Sequence, residues 1–170
     1  MPVSSAAMHT PRLGCLLPGL AILLVTAASP AQLRLARIFG DHMVLQCDKP
    51  VRVWGWASPG EAVTLRFGQQ VRETTSSETG AWSVTLDAMP ANAVGAALVV
   101  EGTGDARVTA ADVLVGEVWI CGGQSNMEWA MRASTDADIE IPSANHEAIR
   151  FIRLPKIARP EPQTDFPKGD

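Results

Sequence analysis

Alternation of apolar and polar positions dominates the middle of the chain. A strand over residues 51–57, VRVWGWA, places Val51 and Val53 on one face and Trp54 and Trp56 on the other. Successive side chains of a strand point to opposite faces, so a period of two indicates a strand with one buried face. Valine and tryptophan both suit a core, and the pattern leaves open which of the two faces points inward.

The same period recurs in further stretches that are separated by turn-forming residues. The stretches are EAVTLRF (61–67), AWSVTLD (81–87), AALVVEG (96–102) and ARVTAADVLV (106–115). The turn signals between them are Ser58-Pro59-Gly60, Gly68-Gln69, Glu78-Thr79-Gly80 and Gly102-Thr103-Gly104-Asp105. Short strands at this spacing with such turns predict an antiparallel β-sandwich over residues 32–115.

The pattern changes after residue 115. GEVWICG (116–122) is apolar without alternation, which predicts a strand buried on both faces of a parallel sheet. NMEWAMRAS (126–134) has apolar residues at helical spacing, a weaker helix limited by Pro142 follows over 136–147, and AIRFIRLP (148–155) predicts another strand. A strand, turn, helix and strand in succession open an α/β layer. Residues 117–170 are too few to cover both faces of such a sheet, so we expect the front end of a longer protein.

The first 31 residues have the features of a secretory signal peptide. Arg12 precedes the apolar stretch 13–28, and Ser29 and Ala31 supply small residues for cleavage near Ala31. The stretch is shorter than a membrane span and is interrupted by Pro18, so we expect no stable membrane insertion. The predicted division is therefore a signal peptide (1–31), a sandwich (32–115) and an incomplete α/β domain (116–170), in a secreted or periplasmic protein.

Charge and metal-ligand chemistry exclude several classes of function. The chain has 14 basic and 18 acidic residues, a net charge of −4 and no basic block, so nucleic acid is not expected as a partner. His9, His42 and His146 are scattered and no Cys-x-x-Cys is present, so no zinc site is expected. Cys47 and Cys121 leave a disulfide open, although the pattern favours two small buried thiols.

Ser125 stands in the turn Gly-Gly-Gln-Ser-Asn between the predicted strand and helix. A nucleophilic serine needs a turn that exposes Oγ beside free backbone N–H groups, and this position meets both needs. The alternative is a serine that caps a helix, as Ser125 or Asn126 could do. The G-x-S-x-G nucleophile motif is not matched, since Met127 stands where the second glycine would be. On spacing alone both interpretations stay open.

Four blocks in order carry a resemblance to a known family. They are FGDHMVLQ (39–46), KPVRVWGWASPGE (49–61), GAWSVTL (80–86) and DVLVGEVWICGGQSNMEW (112–129). Together they resemble the sialate O-acetylesterase family of SGNH-type hydrolases. The resemblance implies a β-sandwich followed by a flavodoxin-like α/β/α SGNH domain, here truncated. It also implies hydrolysis of acetyl esters on O-acetylated carbohydrates, outside the cytoplasm, with neither a metal nor a cofactor.

The resemblance assigns roles around the turn. It implies Ser125 as the nucleophile, with its own backbone N–H in the oxyanion hole, and Gly123, Gln124 and Asn126 as support for the oxyanion hole and the turn. Glu128, three residues further on, is expected to support the start of the helix as in a capping box.

Other features of the family's pattern are missing or altered. Cys47 and Gly122 stand where the family more often has arginine and serine. The family's catalytic aspartate and histidine lie in later blocks, and His146 lacks the Asp-x-x-His spacing that would replace them. His42 is expected to be a loop or hydrogen-bonding residue. We therefore expect the 170-residue chain alone to be inactive.

Two alternatives remain. The Gly-Gln-Ser-Asn-Met block also resembles acetylxylan-type polysaccharide esterases, so the sugar is open. The sandwich could instead be a non-catalytic carbohydrate-binding or interaction module, with Trp54 and Trp56 as its contact residues. The solvent exposure of those two rings distinguishes the binding module from a sandwich in which the rings form part of the core.

Overall fold

A computed structural model describes residue 1 and residues 32–167, so the predicted signal peptide lies, apart from Met1, outside the described residues. Strands occupy most of residues 34–116, and short helices follow them. The strands are β1 (Arg34–Leu35), β2 (Val44–Gln46), β3 (Val51–Trp56), β4 (Ala62–Phe67), β5 (Gln70–Thr75), β6 (Ala81–Leu86), β7 (Asn92–Glu101) and β8 (Arg107–Gly116). The helices are two 3₁₀ turns (Ser125–Glu128 and Met131–Ala133) and α1 (Ala137–Ser143).

The strands form two sheets that share one core. The smaller sheet has the order β1-β3-β6 and the larger has the order β2-β8-β7-β4-β5. All pairs are antiparallel except β2 and β8, which run parallel from Val44 beside Leu114 to Gln46 beside Gly116. The β-rich architecture expected from the alternation is confirmed, but the expectation of a wholly antiparallel arrangement is wrong. The parallel pair arises because β2 lies beside the far end of the last strand and not beside its neighbour in sequence.

Strand β3 shows which face points inward. Val53 is fully buried, whereas Trp54 and Trp56 on the opposite face are only half-buried. The core joins apolar residues of both sheets: Leu33, Leu35, Leu45, Cys47, Val53, Ala57, Val63, Leu65, Phe67, Trp82, Val84, Leu86, Leu98, Val100, Ala110, Val113 and Val115. Burial of each leucine or valine side chain stabilises the fold by about 1.5–3 kcal/mol.

Gly55 allows the closest backbone approach in the smaller sheet. A Cβ at this position would lie 2.0 Å from the carbonyl oxygen of Arg34 and 2.7 Å from the ring of Trp82. Neither atom belongs to the end of a flexible chain, so no side chain fits without moving β1 or the indole. Glycine at position 55 therefore permits both the pairing of β1 with β3 and the burial of Trp82 against the strand.

Polar side chains link the two sheets along the side where β5 of one sheet meets β6 of the other. The guanidinium of Arg72 donates to the carbonyl of Thr85 at 3.1 Å and pairs with Asp87 at 2.5 Å. The side-chain oxygen of Gln70 accepts the backbone N–H of Asp87 at 2.8 Å. These contacts satisfy backbone groups in β6 and directly after it that have no strand neighbour there, and so they help to close this edge of the sandwich.

The chain after β8 differs from the sequence-based expectation. No strand forms in the described residues 117–167, so the strands predicted over 116–122 and 148–155 are wrong, apart from Gly116 at the end of β8. In the described part of the chain neither stretch has a neighbouring strand with which to form a backbone ladder. The predicted helix over 126–134 is replaced by the two 3₁₀ turns, whereas α1 lies within the weak helix expected over 136–147 and contains Pro142. The expected α/β/α arrangement therefore stays a prediction.

Candidate active site

The turn that carries Ser125 is tight. Ser125 is the first residue of a four-residue 3₁₀ helix, and the N–H of Met127 donates to the carbonyl of Gln124 at 2.9 Å. The N–H of Trp129 donates to the carbonyl of Asn126 at 3.2 Å and ends the helix. A Cβ on Gly123 would lie 2.9 Å from Cγ of Met127, so glycine lets the Met127 side chain fold back over the turn.

The Ser125 side chain is not used to build this turn. The helix is preceded by Gln124 in an extended conformation, and no side chain caps its start. The alternative in which Ser125 or Asn126 caps the helix is therefore wrong. The residue is exposed, and the backbone N–H groups of Ser125 and Asn126 have no acceptor inside so short a helix. The structure thus brings Gly123, Gln124, Ser125 and Asn126 together in one solvent-facing turn.

Glu128 has a different role from the capping box expected of it. Its carboxylate pairs with the ammonium of Lys156 and, at 3.5 Å, with the guanidinium of Arg153. Lys156 above all, with a smaller contribution from Arg153, lowers the pKa of Glu128 below its ordinary value. The side chain reaches toward these cations because they lie across from it, whereas no side-chain cap forms at the start of the helix. Glu128 therefore ties the Ser125 turn to residues 153–156.

His42 is engaged away from Ser125. Its Nδ1 lies 2.6 Å from Oδ2 of Asp112, and that same oxygen lies 2.9 Å from the guanidinium of Arg150. The hydrogen bond from His42, supported by Arg150, lowers the pKa of Asp112. The expectation of a hydrogen-bonding loop residue is confirmed, and both His42 (φ 61°) and Asp112 (φ 53°) adopt left-handed backbone. Within the described residues no hydrogen bond joins a histidine to Ser125.

Neither thiol in the described residues forms a disulfide. Cys47 is buried, as expected, but Cys121 is exposed, so the expectation of two buried thiols holds for only one of them. Burial raises the pKa of Cys47, and the nearby carboxylate of Glu117, 3.4 Å from its sulfur, raises it further. In the same part of the chain, no group of three histidine, cysteine or acidic side chains is arranged to hold a metal ion.

The indoles of Trp54 and Trp56 are engaged within the molecule. Phe39 packs edge-on against Trp54 at a ring distance of 4.8 Å, and the indole N–H of Trp54 donates to the carbonyl of Thr164 at 3.0 Å. The guanidinium of Arg34 lies 3.8 Å from the ring centre of Trp56. Each ring therefore already has a partner, which argues against a flat aromatic platform for sugar rings.

Large apolar side chains are concentrated on the surface of residues 117–157. Trp119, Ile120 and Phe151 are 82%, 97% and 93% exposed. The others in this stretch are Val118, Met127, Trp129, Met131, Ile139, Ile141, Ile149, Ile152, Leu154 and Ile157. Soluble proteins rarely expose so many large apolar side chains within so short a stretch, and residues of this kind are usually buried in a core. None of the helices in the described residues is long and apolar enough to cross a membrane.

Comparisons with known proteins identify relatives of the chain. It is 31% identical to human sialate O-acetylesterase over 155 residues, which cover 85% of this chain and 29% of the relative. It is 28% identical to mouse sialate O-acetylesterase over 165 residues, covering 89% of this chain and 30% of the relative. The chain thus spans about a third of the length of these relatives. No protein-family model matches.

A solved structure adds a bacterial relative. The crystal structure of a carbohydrate acetylesterase from Xanthomonas citri superposes with a TM-score of 0.63 at 37% sequence identity, over 70% of this chain and 26% of that chain. The sequence matches to the mammalian proteins and this structural match agree with the resemblance carried by the four sequence blocks. The chain belongs to the sialate O-acetylesterase family.

Proposed function

We propose that this chain contributes the nucleophile of a carbohydrate O-acetylesterase, with Ser125 as the attacking residue. The observation that carries the proposal is the exposed Ser125 side chain, which caps no helix and lies in a tight glycine-containing turn of a chain related to esterases. A serine that did only structural work in this turn would be expected to cap the helix.

The proposed reaction is acyl transfer in two steps. Ser125 Oγ loses its proton to a base and attacks the acetyl carbonyl, and the negative charge on the carbonyl oxygen is stabilised by backbone N–H groups at the turn. The C–O bond to the sugar breaks, and the sugar oxygen takes up a proton. Water then attacks the acetyl-serine, which releases acetate and restores the hydroxyl. Gly123, Gln124 and Asn126 shape the turn and present its N–H groups.

The base is proposed to come from beyond the 170 residues of this chain. His42 is already paired with Asp112, and no histidine in the described residues is hydrogen-bonded to Ser125. An unassisted serine hydroxyl is a weak nucleophile at neutral pH, and removal of the base from such a triad lowers the rate by about 10⁴- to 10⁶-fold. We therefore propose that these 170 residues alone hydrolyse no ester at a measurable rate.

The proposed substrate is an O-acetylated carbohydrate, with acetylated sialic acid and acetylated xylan as the two sugars to compare. We further propose that the protein is exported, because residues 1–31 have the features of a signal peptide. The binding-module alternative is not taken forward, because Arg34 and Phe39 occupy the surfaces of Trp56 and Trp54 that a sugar would need.

The test begins with the coding DNA beyond Asp170 and continues with the full-length product. Acetate release is measured from O-acetylated sialic acid and from acetylated xylan, for the natural protein, Ser125→Ala and the control Ser134→Ala. Ser134 is an exposed serine nine positions along the same segment. Loss of hydrolysis in Ser125→Ala alone supports the proposal. Full activity in Ser125→Ala would overturn it, as would an equal loss in the control.

A further inference from the structure

Residues 164–166, here named the clasp segment, return to the sandwich near its first strand. Oδ2 of Asp165 lies 2.9 Å from the guanidinium of Arg34, although 131 positions separate them in sequence. Oδ1 of the same carboxylate accepts the backbone N–H of Arg37 at 2.8 Å. The Asp165 side chain is only 13% exposed, so both of its oxygens are engaged and largely shielded from water.

The residues on either side of Asp165 are held through their backbones. The indole N–H of Trp54 donates to the carbonyl of Thr164 at 3.0 Å, and the guanidinium of Arg37 donates to the carbonyl of Phe166. Three consecutive residues therefore accept hydrogen bonds from the sandwich. Asp165 accepts them through its charged side chain, and its two neighbours accept them through their backbone carbonyls. A chance surface contact would not be expected to engage every residue of a short segment.

The receiving surface is held in place by the sandwich itself. Arg34 lies in β1 opposite Trp56 of β3, and its guanidinium rests over that indole at 3.8 Å from the ring centre. Phe39 packs edge-on against Trp54. Both contacts restrict long or bulky side chains before the clasp segment arrives, which lowers the entropic cost of binding it. We name Arg34, Arg37, Phe39 and Trp54 the docking surface.

The shape and the charge of this region agree with such a role. An open groove of about 530 Å³ runs beside the docking surface, with Arg37, Phe39, Val108 and Phe166 among its lining residues. Burial acts to raise the pKa of Asp165, but the N–H of Arg37 and the guanidinium of Arg34 outweigh it, and the pKa is lowered. The carboxylate is therefore ionised at neutral pH, pairs with the guanidinium of Arg34 and accepts the backbone N–H of Arg37.

The opposite end of the intervening chain is also fixed to the sandwich. The side chain of Gln46 in β2 accepts the N–H of Val118 at 3.0 Å and donates to the carboxylate of Glu117 at 3.2 Å. Between these contacts and the clasp segment, the chain runs through the Ser125 turn and α1. Together with the pair of Arg150 and Asp112 of β8 between them, the contacts at both ends fix that stretch to the sandwich and restrict its freedom relative to a chain anchored at one end.

We propose that the docking surface is an intramolecular binding site for the clasp segment, and that it closes residues 117–163 into a loop anchored at both ends on the sandwich. The occupant is Thr164-Asp165-Phe166 of this same chain. The docking surface recognises its ionised Asp165 carboxylate and the backbone carbonyls of the residues on either side. Binding of the clasp segment to the docking surface does not depend on whether Ser125 is a nucleophile.

The experiment measures hydrogen exchange at the backbone amide of Arg37 by NMR, in the natural chain and in Asp165→Ala. This amide donates to the Asp165 side chain. Removing that side chain is expected to speed exchange at Arg37 by about tenfold or more, because a charge-assisted hydrogen bond is lost. Glu161→Ala is the matched control, because Glu161 is an exposed carboxylate four positions away with no ion pair among the described residues. The amide of Val53 in β3 reports whether the sheet stays intact.

A second variant approaches the same contact from the sandwich. Arg34→Gln leaves Asp165 in place but removes its cation, and it is expected to speed exchange at Arg37 less than Asp165→Ala does. Unchanged exchange at Arg37 in Asp165→Ala would overturn the proposal, as would equal acceleration in Glu161→Ala. Neither result bears on esterase activity, so failure here is distinguishable from failure of the proposed reaction.

Discussion

The carboxylate of Glu61 accepts the backbone N–H of Thr103, 42 positions further along the chain, at 3.0 Å. Its other oxygen accepts the N–H of Ser58 at 2.9 Å, and the N–H of Glu61 itself donates to the hydroxyl of the buried Ser76 at 2.9 Å. One buried glutamate therefore joins three turns at one end of the sandwich. The bonds from Thr103 and Ser58 outweigh burial and lower the pKa of Glu61.

Replacing Glu61 by glutamine should lower the free energy of unfolding at pH 7 by about 1–3 kcal/mol, because an amide offers only one oxygen to the two N–H donors. Urea unfolding measures the change. The control is Glu73→Gln on the exposed side of β5, where a shift within about 0.5 kcal/mol is expected. Equal losses in the two variants would show that the bonds to Glu61 do not matter.

The same glutamate should make stability depend on pH. Its pKa is lower in the folded chain than in the unfolded chain, where the pKa of a glutamate is about 4.3. The stabilisation is therefore complete above the unfolded value and is lost as pH falls through the lowered folded value. Unfolding curves for the natural chain and Glu61→Gln should approach each other as pH is lowered below about 4. Curves that stay parallel would contradict this assignment.

Alanine at Gly55 should destabilise the sandwich, because the added Cβ would meet the Arg34 carbonyl and the Trp82 ring. Overpacking of this kind costs about 1–3 kcal/mol. The control Gly40→Ala adds a Cβ that meets nothing within 4 Å and should shift stability by no more than about 0.5 kcal/mol. Thermal unfolding followed by circular dichroism measures both, and a natural melting temperature in Gly55→Ala would contradict the packing described here.

The substitution Asp112→Asn should loosen the chain around Arg150. Asparagine tolerates the left-handed backbone of Asp112 but lacks the charge that holds His42 and Arg150. Trypsin should then cut after Arg150 several-fold faster, since cleavage follows the population of the open state. Asp105→Asn, in the exposed turn between β7 and β8, is the control and should leave the rate unchanged. An unchanged rate in both variants would mean that Asp112 does not hold this segment.

The exposed apolar side chains after β8 should make the 170-residue chain self-associate. Sedimentation velocity should show oligomers that increase with concentration, and replacing Trp119, Ile120 and Phe151 together by serine should reduce them. Val94→Ser is the control, because Val94 is 74% exposed on β7, away from this stretch. A natural chain that sediments as a monomer at every concentration would contradict the prediction.

Alternation along the chain was enough to locate the main strands of the sandwich. Stretches 51–57, 61–67 and 81–87 match β3, β4 and β6 to within one residue at each end. A strand with one buried face alternates apolar and polar residues, and this period of two is visible in the sequence. The short strands β1 and β2 and the polar strand β5 were not predicted. Two or three residues carry no measurable period, and β5 has polar residues on both faces.

The Ser125 turn was located by its glycines, but its geometry was not. Sequence blocks singled out residues 123–126, and the structure brings them together in one exposed turn. The capping box expected of Glu128 and the alternative of a capping Ser125 both depended on a regular helix starting there. The chain instead forms a short 3₁₀ helix, and Glu128 turns to Lys156, 28 positions away. A partner at that distance leaves no local pattern.

The sequence by itself determined the elements whose cause is local: strands from alternation, turns from glycine and proline, and the family from four ordered blocks. Tertiary structure alone decided what depends on distant groups. It turned Val53 inward and Trp54 outward, paired β2 in parallel with β8, and brought Asp112 to Arg150 and Asp165 to Arg34. The sequence alone does not show whether a charged residue is solvated or paired with an opposite charge. Only the fold sets the distance to its partner, and that distance decides its energy.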